Sequence, residues 1–181
     1  MNFYSTERLT IRRFEQSDAE GLFDYFEKPI VNCFQDEKLH SLEEAKAEVA
    51  RRSWQPSQFA VCLKENNQII GNLFAEKEKD TYSVGWNFNP KYGGQGFALE
   101  AAKGLFHYLF TQQSARRTYC YVEEDNLSSQ KLCKRLGMRQ EALFLEFISF
   151  VKNADGSPKY ENTMQFAILK REWEQLNREY K

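Results

Sequence analysis

Histidine is nearly absent from this chain of 181 residues, with only His40 and His107 present. The four cysteines, Cys33, Cys62, Cys120 and Cys133, form no C-x-x-C pair, and no histidine stands at a zinc-site interval from them. The sequence therefore offers no metal site. Scattered cysteines of this kind fit reduced thiols in a cytoplasmic protein better than a disulfide framework. No apolar run approaches the roughly 20 residues that a membrane span needs, and the opening MNFYSTERLTIRRF has no signal-peptide core. Charge of one sign is also missing. With 25 basic and 26 acidic residues the net charge is −1, and no single-sign block suggests a nucleic-acid partner. Repeats, low-complexity tracts and linkers are absent, so one domain over residues 1–181 is expected. What is abundant is apolar and aromatic material. The 41% apolar content, with 15 Phe and 9 Tyr, suffices for one sizeable core.

The patterning alternates between strand and helix signals. RLTIRRF reads as a half-buried strand over about 8–14. Ser17 and Asp18 are placed to cap a helix that ends before Pro29, and Ser41 is placed to cap HSLEEAKAEVARRS. Two strand-like runs flank Asn66-Asn67 as a hairpin, and YSVGWNFNP is a further strand stopped by Pro90. A helix over about 95–112 carries Leu99, Ala102, Leu105, Phe106 and Leu109 at three- and four-residue steps. RRTYCYVEE is a strand, and NLSSQKLCKRLG is a short helix that Gly137 is suited to end. Two more strands follow, MRQEALFLEFISFV and ENTMQFAILK, joined by NADGSPKY, and then a polar C-terminal helix. The order fits a mixed α/β layer structure better than a doubly wound sheet.

The most informative stretch is NPKYGGQGFALEAAKG, residues 89–104. Gly93, Gly94 and Gly96 allow backbone N–H groups to approach a ligand closely. The helix behind them adds unpaired N–H groups and the positive end of its dipole. Together these suit a phosphate; a flexible strand-to-helix turn is the plainer alternative. No Lys-Ser or Lys-Thr follows the glycines, which disfavours a P-loop. The G-G-x-G spacing in mid-chain is also wrong for a dinucleotide fingerprint.

The loop resembles motif A of the GNAT N-acetyltransferase superfamily, [QR]xxGx[GA], at Gly93, Gly94, Gln95, Gly96, Phe97 and Ala98, with Gly93 where the family has Gln or Arg. NLSSQKLCKRLGM is similar to motif B, Nxx[AS]xxxxxKxGF, through Asn126, Ser129, Gly137 and Met138, with Arg135 at the usual lysine. STERLTIRRFEQSDAEGLFDYF resembles the opening of the RimJ/RimL-like branch, which acetylates ribosomal-protein N-termini. The resemblance covers essentially the whole chain. It implies a GNAT acyl-CoA N-acyltransferase fold: a central, mostly antiparallel twisted sheet of about seven strands, flanked by helices and splayed between strands four and five.

The resemblance also implies acetyl-CoA as co-substrate and a primary amine as acceptor, either a protein N-terminus or a small molecule. The N–H groups of Gly94, Gln95, Gly96, Phe97 and Ala98 are then expected to hold the pyrophosphate. Asn126 is expected to contact the pantetheine arm or support the loop holding it, and Trp86, Asn87, Phe88 and Asn89 to line the cofactor channel. Plain core packing is the alternative for Trp86 and Phe88. A homodimer is a common assembly of such proteins, although no self-complementary stripe in the sequence points to one. A non-catalytic acyl-CoA-binding module on the same fold is the rival reading.

Acetyl transfer needs a neutral amine. An α-amine titrates near 7.7–8.0, whereas lysine near 10.4 loses about 3.4 units, or nearly 5 kcal/mol, at neutral pH. A backbone N–H on strand four can serve as oxyanion donor, a contact of roughly 3–4 kcal/mol. Many family members protonate the leaving thiolate with a tyrosine seven residues after the motif-B asparagine, where this chain has Cys133. The RimJ/RimL-like branch instead uses the serine three residues after it, here Ser129, for which a helix-capping role is the alternative. The base in that branch is a glutamate on the following strand. Direct counting reaches Ile148, so Glu146, two residues earlier and on the same face by alternation, is the candidate for a catalytic or substrate-binding role, with exposure on the outer face as the alternative. Glu123 and Glu124 near the splay, and Glu161 and Tyr160 at the last strand, are further candidates.

Overall fold

The computed structural model describes residues 2–179. Eight strands form one sheet: β1 (Asn2–Ser5), β2 (Leu9–Arg12), β3 (Gln58–Leu63), β4 (Ile69–Glu78), β5 (Thr81–Phe88), β6 (Arg117–Glu123), β7 (Arg139–Lys152) and β8 (Pro158–Leu169). Their spatial order is β1-β2-β3-β4-β5-β6-β8-β7, and every pairing is antiparallel except β5–β6. Five α-helices flank the sheet: α1 (Ala19–Phe26), α2 (Leu42–Trp54), α3 (Phe97–Thr111), α4 (Leu127–Arg135) and α5 (Lys170–Glu179).

The sheet has eight strands rather than the expected seven or so because of β1. This strand is short and carries no strong alternation. Its place is fixed by contacts remote in sequence: Phe3 packs edge-on against Phe59 with centroids 4.7 Å apart, and the Tyr4 hydroxyl donates to Ala101 O at 3.0 Å. Gly104 on α3 makes room for the Tyr4 ring, because a Cβ there would lie 2.5 Å from Tyr4 Cε2.

From β2 to β4 the sheet is buried on both faces, and β3 shows how. Phe59, Val61 and Leu63 enter a core shared with Phe106 and Phe110 of α3, while Ala60 and Cys62 enter a second core with Leu22 and Phe26 of α1 and Val49 of α2. A continuous apolar run is what such a strand requires. The half-buried reading of β2 fails for the same reason. Arg12 is 2% exposed, and its guanidinium pairs with both oxygens of Asp18 at 2.8 and 2.7 Å. Asp18 consequently does not cap α1; its carboxylate is committed to Arg12 and to the Glu15 N–H at 2.8 Å.

Other local signals hold. Ser41 Oγ accepts from Glu44 N at 3.1 Å, β3 and β4 form the hairpin around Asn66-Asn67, and Gly137 takes φ 77° after α4. Two interruptions of regularity shape the region between the cores. The parallel pairing of β5 with β6 covers only Thr81–Ser83 against Arg117–Tyr119, so Val84–Phe88 and Cys120–Glu123 run on apart. The second interruption lies in β7, where Phe144 opposes Thr163 but Ile148 opposes Glu161. Glu146 sits in that bulge at φ 46°, its N–H donating to Asn162 Oδ1 at 2.9 Å.

Candidate active site

Two adjoining cavities occupy the gap between the diverging strands. The first, of about 470 Å³, runs under the glycine loop and the start of α3. A Pro90–Tyr92 turn, capped by Asn89 Oδ1 accepting from Lys91 N at 3.0 Å, leads β5 into the loop. Gly94 and Gly96 adopt φ 73° and 83°, a conformation open to glycine at little cost. Gly96 is the helix N-cap and has no side chain to satisfy the first turn. Among the described residues, the N–H groups of Gly94, Gln95, Gly96, Phe97 and Ala98 find no acceptor in the protein. Free donors at a helix N-terminus favour an anion.

Arg8 fixes the far side of this loop. It donates to Gln95 O at 3.0 Å and to Glu100 at 2.7 Å, with its guanidinium carbon 4.3 Å from the centre of the Phe97 ring. Hydrogen bonds from Thr6, Arg8 N and the Arg8 side chain hold the Glu100 carboxyl below its usual range, although burial opposes them.

Trp86, Asn87 and Phe88 of β5 line this cavity, as do Gly94, Gly96, Phe97 and Ala98. Lys131 and Arg135 line it from α4, and among the described residues no carboxylate does. Sequence reasoning passed over Lys131, although its four-residue spacing from Arg135 on one helix places both on one face.

The second cavity, of about 310 Å³, lies beyond Trp86 between β5, β6 and β7 and the Asn32–Glu37 turn. Its walls carry Glu37 and Glu123 and, among the described residues, no cationic side chain. The two cavities share Phe34, Trp86, Asn126 and Ser129. At this junction the Trp86 indole N–H donates to Ser129 Oγ at 3.1 Å. The capping of α4 falls to Asn126, whose Oδ1 accepts from Ser129 N at 3.1 Å and from Ser128 Oγ at 2.9 Å. The Ser129 hydroxyl is therefore not the helix cap, and with Oγ already accepting from Trp86 its hydrogen is free to donate elsewhere.

Cys133 lies elsewhere. It is fully buried, its sulfur 3.5 Å from that of Cys120, and it lines neither cavity. The bulge in β7 also breaks the alternation that would have set Glu146 beside Ile148. Ile148 reaches the second cavity, whereas Glu146 is exposed to solvent and lines neither.

The buried carboxylates of the region are Glu123 and Glu161, each 7% exposed. Burial raises the Glu123 carboxyl above its usual range, and the negative charges of Glu161 and Asp125 act in the same direction. The Cys33 thiol beside it is pushed up by burial and by Glu123. Glu161 accepts from Asn32 Nδ2 at 2.5 Å through one oxygen, while its other oxygen has no partner. Tyr160 is exposed, and Glu124 Oε2 is engaged by Asn162 Nδ2 at 2.8 Å.

The splay between β5 and β6 beside a glycine loop that opens α3 matches the fold expected from the sequence. Residues 8–139 match the family model described as Acetyltransferase (GNAT) domain. The chain is 31% identical over 172 residues to the uncharacterized N-acetyltransferase YnaD of Bacillus subtilis, covering 93% of this chain and 98% of that protein. A solved GNAT-family acetyltransferase from Bacillus anthracis superposes with a TM-score of 0.83 at 28% identity, over 92% of this chain and 98% of the other. The ribosomal L7/L12 α-N-protein acetyltransferase RimL, solved in complex with coenzyme A, shares the fold with a TM-score of 0.74 at 15% identity, over 93% of this chain and 98% of the other. The chain belongs to the GNAT acetyltransferase family and is an N-acetyltransferase.

Proposed function

We propose that the protein acetylates a primary amine by direct attack on acetyl-CoA, with the donor in the glycine-loop cavity and the amine in the chamber beyond Trp86. The observation that carries this reading is the opposite chemistry of two cavities that share one wall. One has two cations and no carboxylate; the other has two carboxylates and no cation. Coenzyme A is polyanionic, and an amine is largely cationic at neutral pH.

The free N–H groups of Gly94, Gln95, Gly96, Phe97 and Ala98 suit the pyrophosphate, with Lys131 and Arg135 adding charge nearby. The edge of β5 left without a partner at Trp86, Asn87 and Phe88 suits the amides of the pantetheine arm, with Asn126 at the junction beside it. Bound acetyl-CoA supplies an activated acetyl thioester. Ser129 holds a proton at Oγ for the leaving sulfur, since Oγ already accepts from Trp86. Glu123 takes the proton of the incoming amine. In a desolvated chamber both charges of an ammonium–carboxylate pair are penalised, so transfer to the neutral pair is easier than in water. Glu146, the catalytic or substrate-binding candidate from the sequence, has no role in this step because it is solvent-exposed.

The test is amine-dependent release of free thiol from acetyl-CoA by wild type and by Gly96→Trp, which forces a bulky side chain onto a left-handed position, its Cβ 3.5 Å from Arg8 Nη2, and so distorts the loop. Wild type is expected to turn over and the variant to lose both binding and turnover, with the melt checked as a control for folding. Equal turnover in the variant would remove the cradle from the account.

A further inference from the structure

The chamber beyond Trp86 has a composition that selects among amines. Its apolar walls include Phe34, Phe74, Trp86, Phe147, Ile148 and Phe150. Of its two carboxylates, Glu37 is already neutralised, because Arg52 Nη2 lies 2.6 Å from Glu37 Oε2. Glu123 is the one lining carboxylate without a cationic partner.

Unsatisfied acceptors cluster at the same end. Thr163 lines the chamber and stands directly opposite Glu123 in the β6–β8 ladder. Its hydroxyl is buried and has no hydrogen-bond partner. Glu161 is two residues away on the same face of β8, with a buried carboxylate oxygen also lacking a partner. A buried acceptor left unsatisfied is costly. Glu123 and Thr163 both line the chamber and offer acceptors to the N–H donors of a primary ammonium group, with the Glu161 charge near Glu123 behind them.

Resting on the acetyl-transfer reading above, we propose that the acceptor is a small primary monoamine with an apolar alkyl or aryl body. Its ammonium is received by Glu123 and Thr163, with the Glu161 charge behind them, and its body lies against the aromatic walls. The attacking nitrogen forms the new bond to the acetyl carbon, and the carbon–sulfur bond of the thioester breaks. Glu123 first takes one proton from the bound ammonium, so the nitrogen attacks as a neutral amine. The leaving sulfur takes the Ser129 hydroxyl proton, and the second proton lost by nitrogen as the amide forms restores that hydroxyl. The products are the N-acetyl amine and free coenzyme A. A polyamine fits poorly, since its further ammonium groups face apolar rings and, among the described residues, no second unpaired carboxylate lines the chamber. At about 310 Å³ the chamber is near the small end of the range for small-molecule sites, roughly 300–1,000 Å³.

The experiment measures kcat/KM by thiol release with butylamine, hexylamine, phenethylamine, spermidine and a peptide with a free N-terminal alanine. Acetyl-CoA binding is measured separately by calorimetry. Within the alkylamines each added methylene is expected to raise kcat/KM about fourfold, the equivalent of ~0.8 kcal/mol per buried methylene. Spermidine is expected about 100-fold below hexylamine, since an unpaired charge in apolar surroundings is strongly disfavoured. Glu123→Gln and Thr163→Val are both expected to raise KM for hexylamine while acetyl-CoA binds as in wild type. Normal acetyl-CoA binding with spermidine or the peptide preferred, or with no dependence on chain length, overturns this assignment and leaves the donor site standing. Failure of acetyl-CoA to bind overturns both.

Discussion

Replacing Ser129 with alanine separates chemistry from architecture. The substitution removes the oxygen that accepts from the Trp86 indole at 3.1 Å. It leaves the Ser129 backbone N–H capped by Asn126 Oδ1, so the start of α4 keeps its hydrogen bond. The loss to folding is then one side-chain hydrogen bond, about 1 kcal/mol. For a chain of this size that is a fall in Tm of roughly 2–4 °C. If Ser129 Oγ protonates the leaving sulfur, kcat falls by about 10²–10⁴, the usual contribution of a positioned acid. That loss corresponds to roughly 3–5 kcal/mol in the barrier, too much to come from one displaced indole. Single-turnover thiol release under saturating acetyl-CoA is the assay, because it isolates the chemical step. Ser129→Thr keeps a hydroxyl and is expected to retain most of the rate. Trp86→Phe removes the indole donor but not the serine proton and is expected to cost far less than Ser129→Ala. A Ser129→Ala rate within about threefold of wild type, beside a larger loss in Trp86→Phe, would refute the proton-donor role and leave Ser129 as a support for the indole.

Three further outcomes are expected. Asp18→Ala leaves the Arg12 guanidinium buried without its bidentate partner; breaking such a pair costs about 3–5 kcal/mol, so thermal denaturation is expected roughly 10 °C lower, by the scaling of about 2–4 °C per kcal/mol for a chain of this size. Glu123→Gln is expected to raise stability at pH 7 while lowering activity. A carboxyl raised by burial binds its proton more tightly when folded, so its stabilising contribution is complete below the unfolded pKa and lost as pH rises through the folded one. The advantage of the glutamine variant should therefore vanish in mildly acidic solution, as followed by denaturant melts across pH. The double variant Lys131→Ala, Arg135→Ala is expected to weaken acetyl-CoA binding by about tenfold or more at low salt and less at high salt, because screening shortens the reach of exposed charge. Calorimetry at two ionic strengths reads this directly.

The parts of the molecule legible in its sequence are those governed by local rules. Apolar spacing marks α3, Ser41 marks the start of α2, Asn66-Asn67 marks a hairpin, and the glycines mark the loop where free N–H groups converge. The parts that were not legible depend on partners distant in the chain. Asp18 looked like a helix cap but is bonded to Arg12 on β2. The strand β1 exists because Phe3 and Tyr4 meet Phe59 and Ala101. Glu146 was set on the wrong surface because alternation assumes an unbroken strand, and β7 takes extra residues between Phe144 and Ile148. Burial of Glu123 and Glu161 required knowing that the Asn32–Glu37 turn folds over them, with Asn32 bonded to Glu161 and Cys33 beside Glu123.

The most direct test of the donor site is amide hydrogen exchange with and without acetyl-CoA. The N–H groups of residues 94–98 have no acceptor in the protein, and β5 beyond Ser83 has lost its partner on the β6 side. The amides of 94–98 and those of Trp86 and Phe88, which face the β6 side, are expected to exchange quickly in the free protein and to be protected when acetyl-CoA is added, whereas Asn87 N–H faces β4 and is expected to be slow in both states. Protection elsewhere in the chain, with these two segments unchanged, would contradict the assignment of the splayed sheet and glycine loop as the acetyl-CoA site.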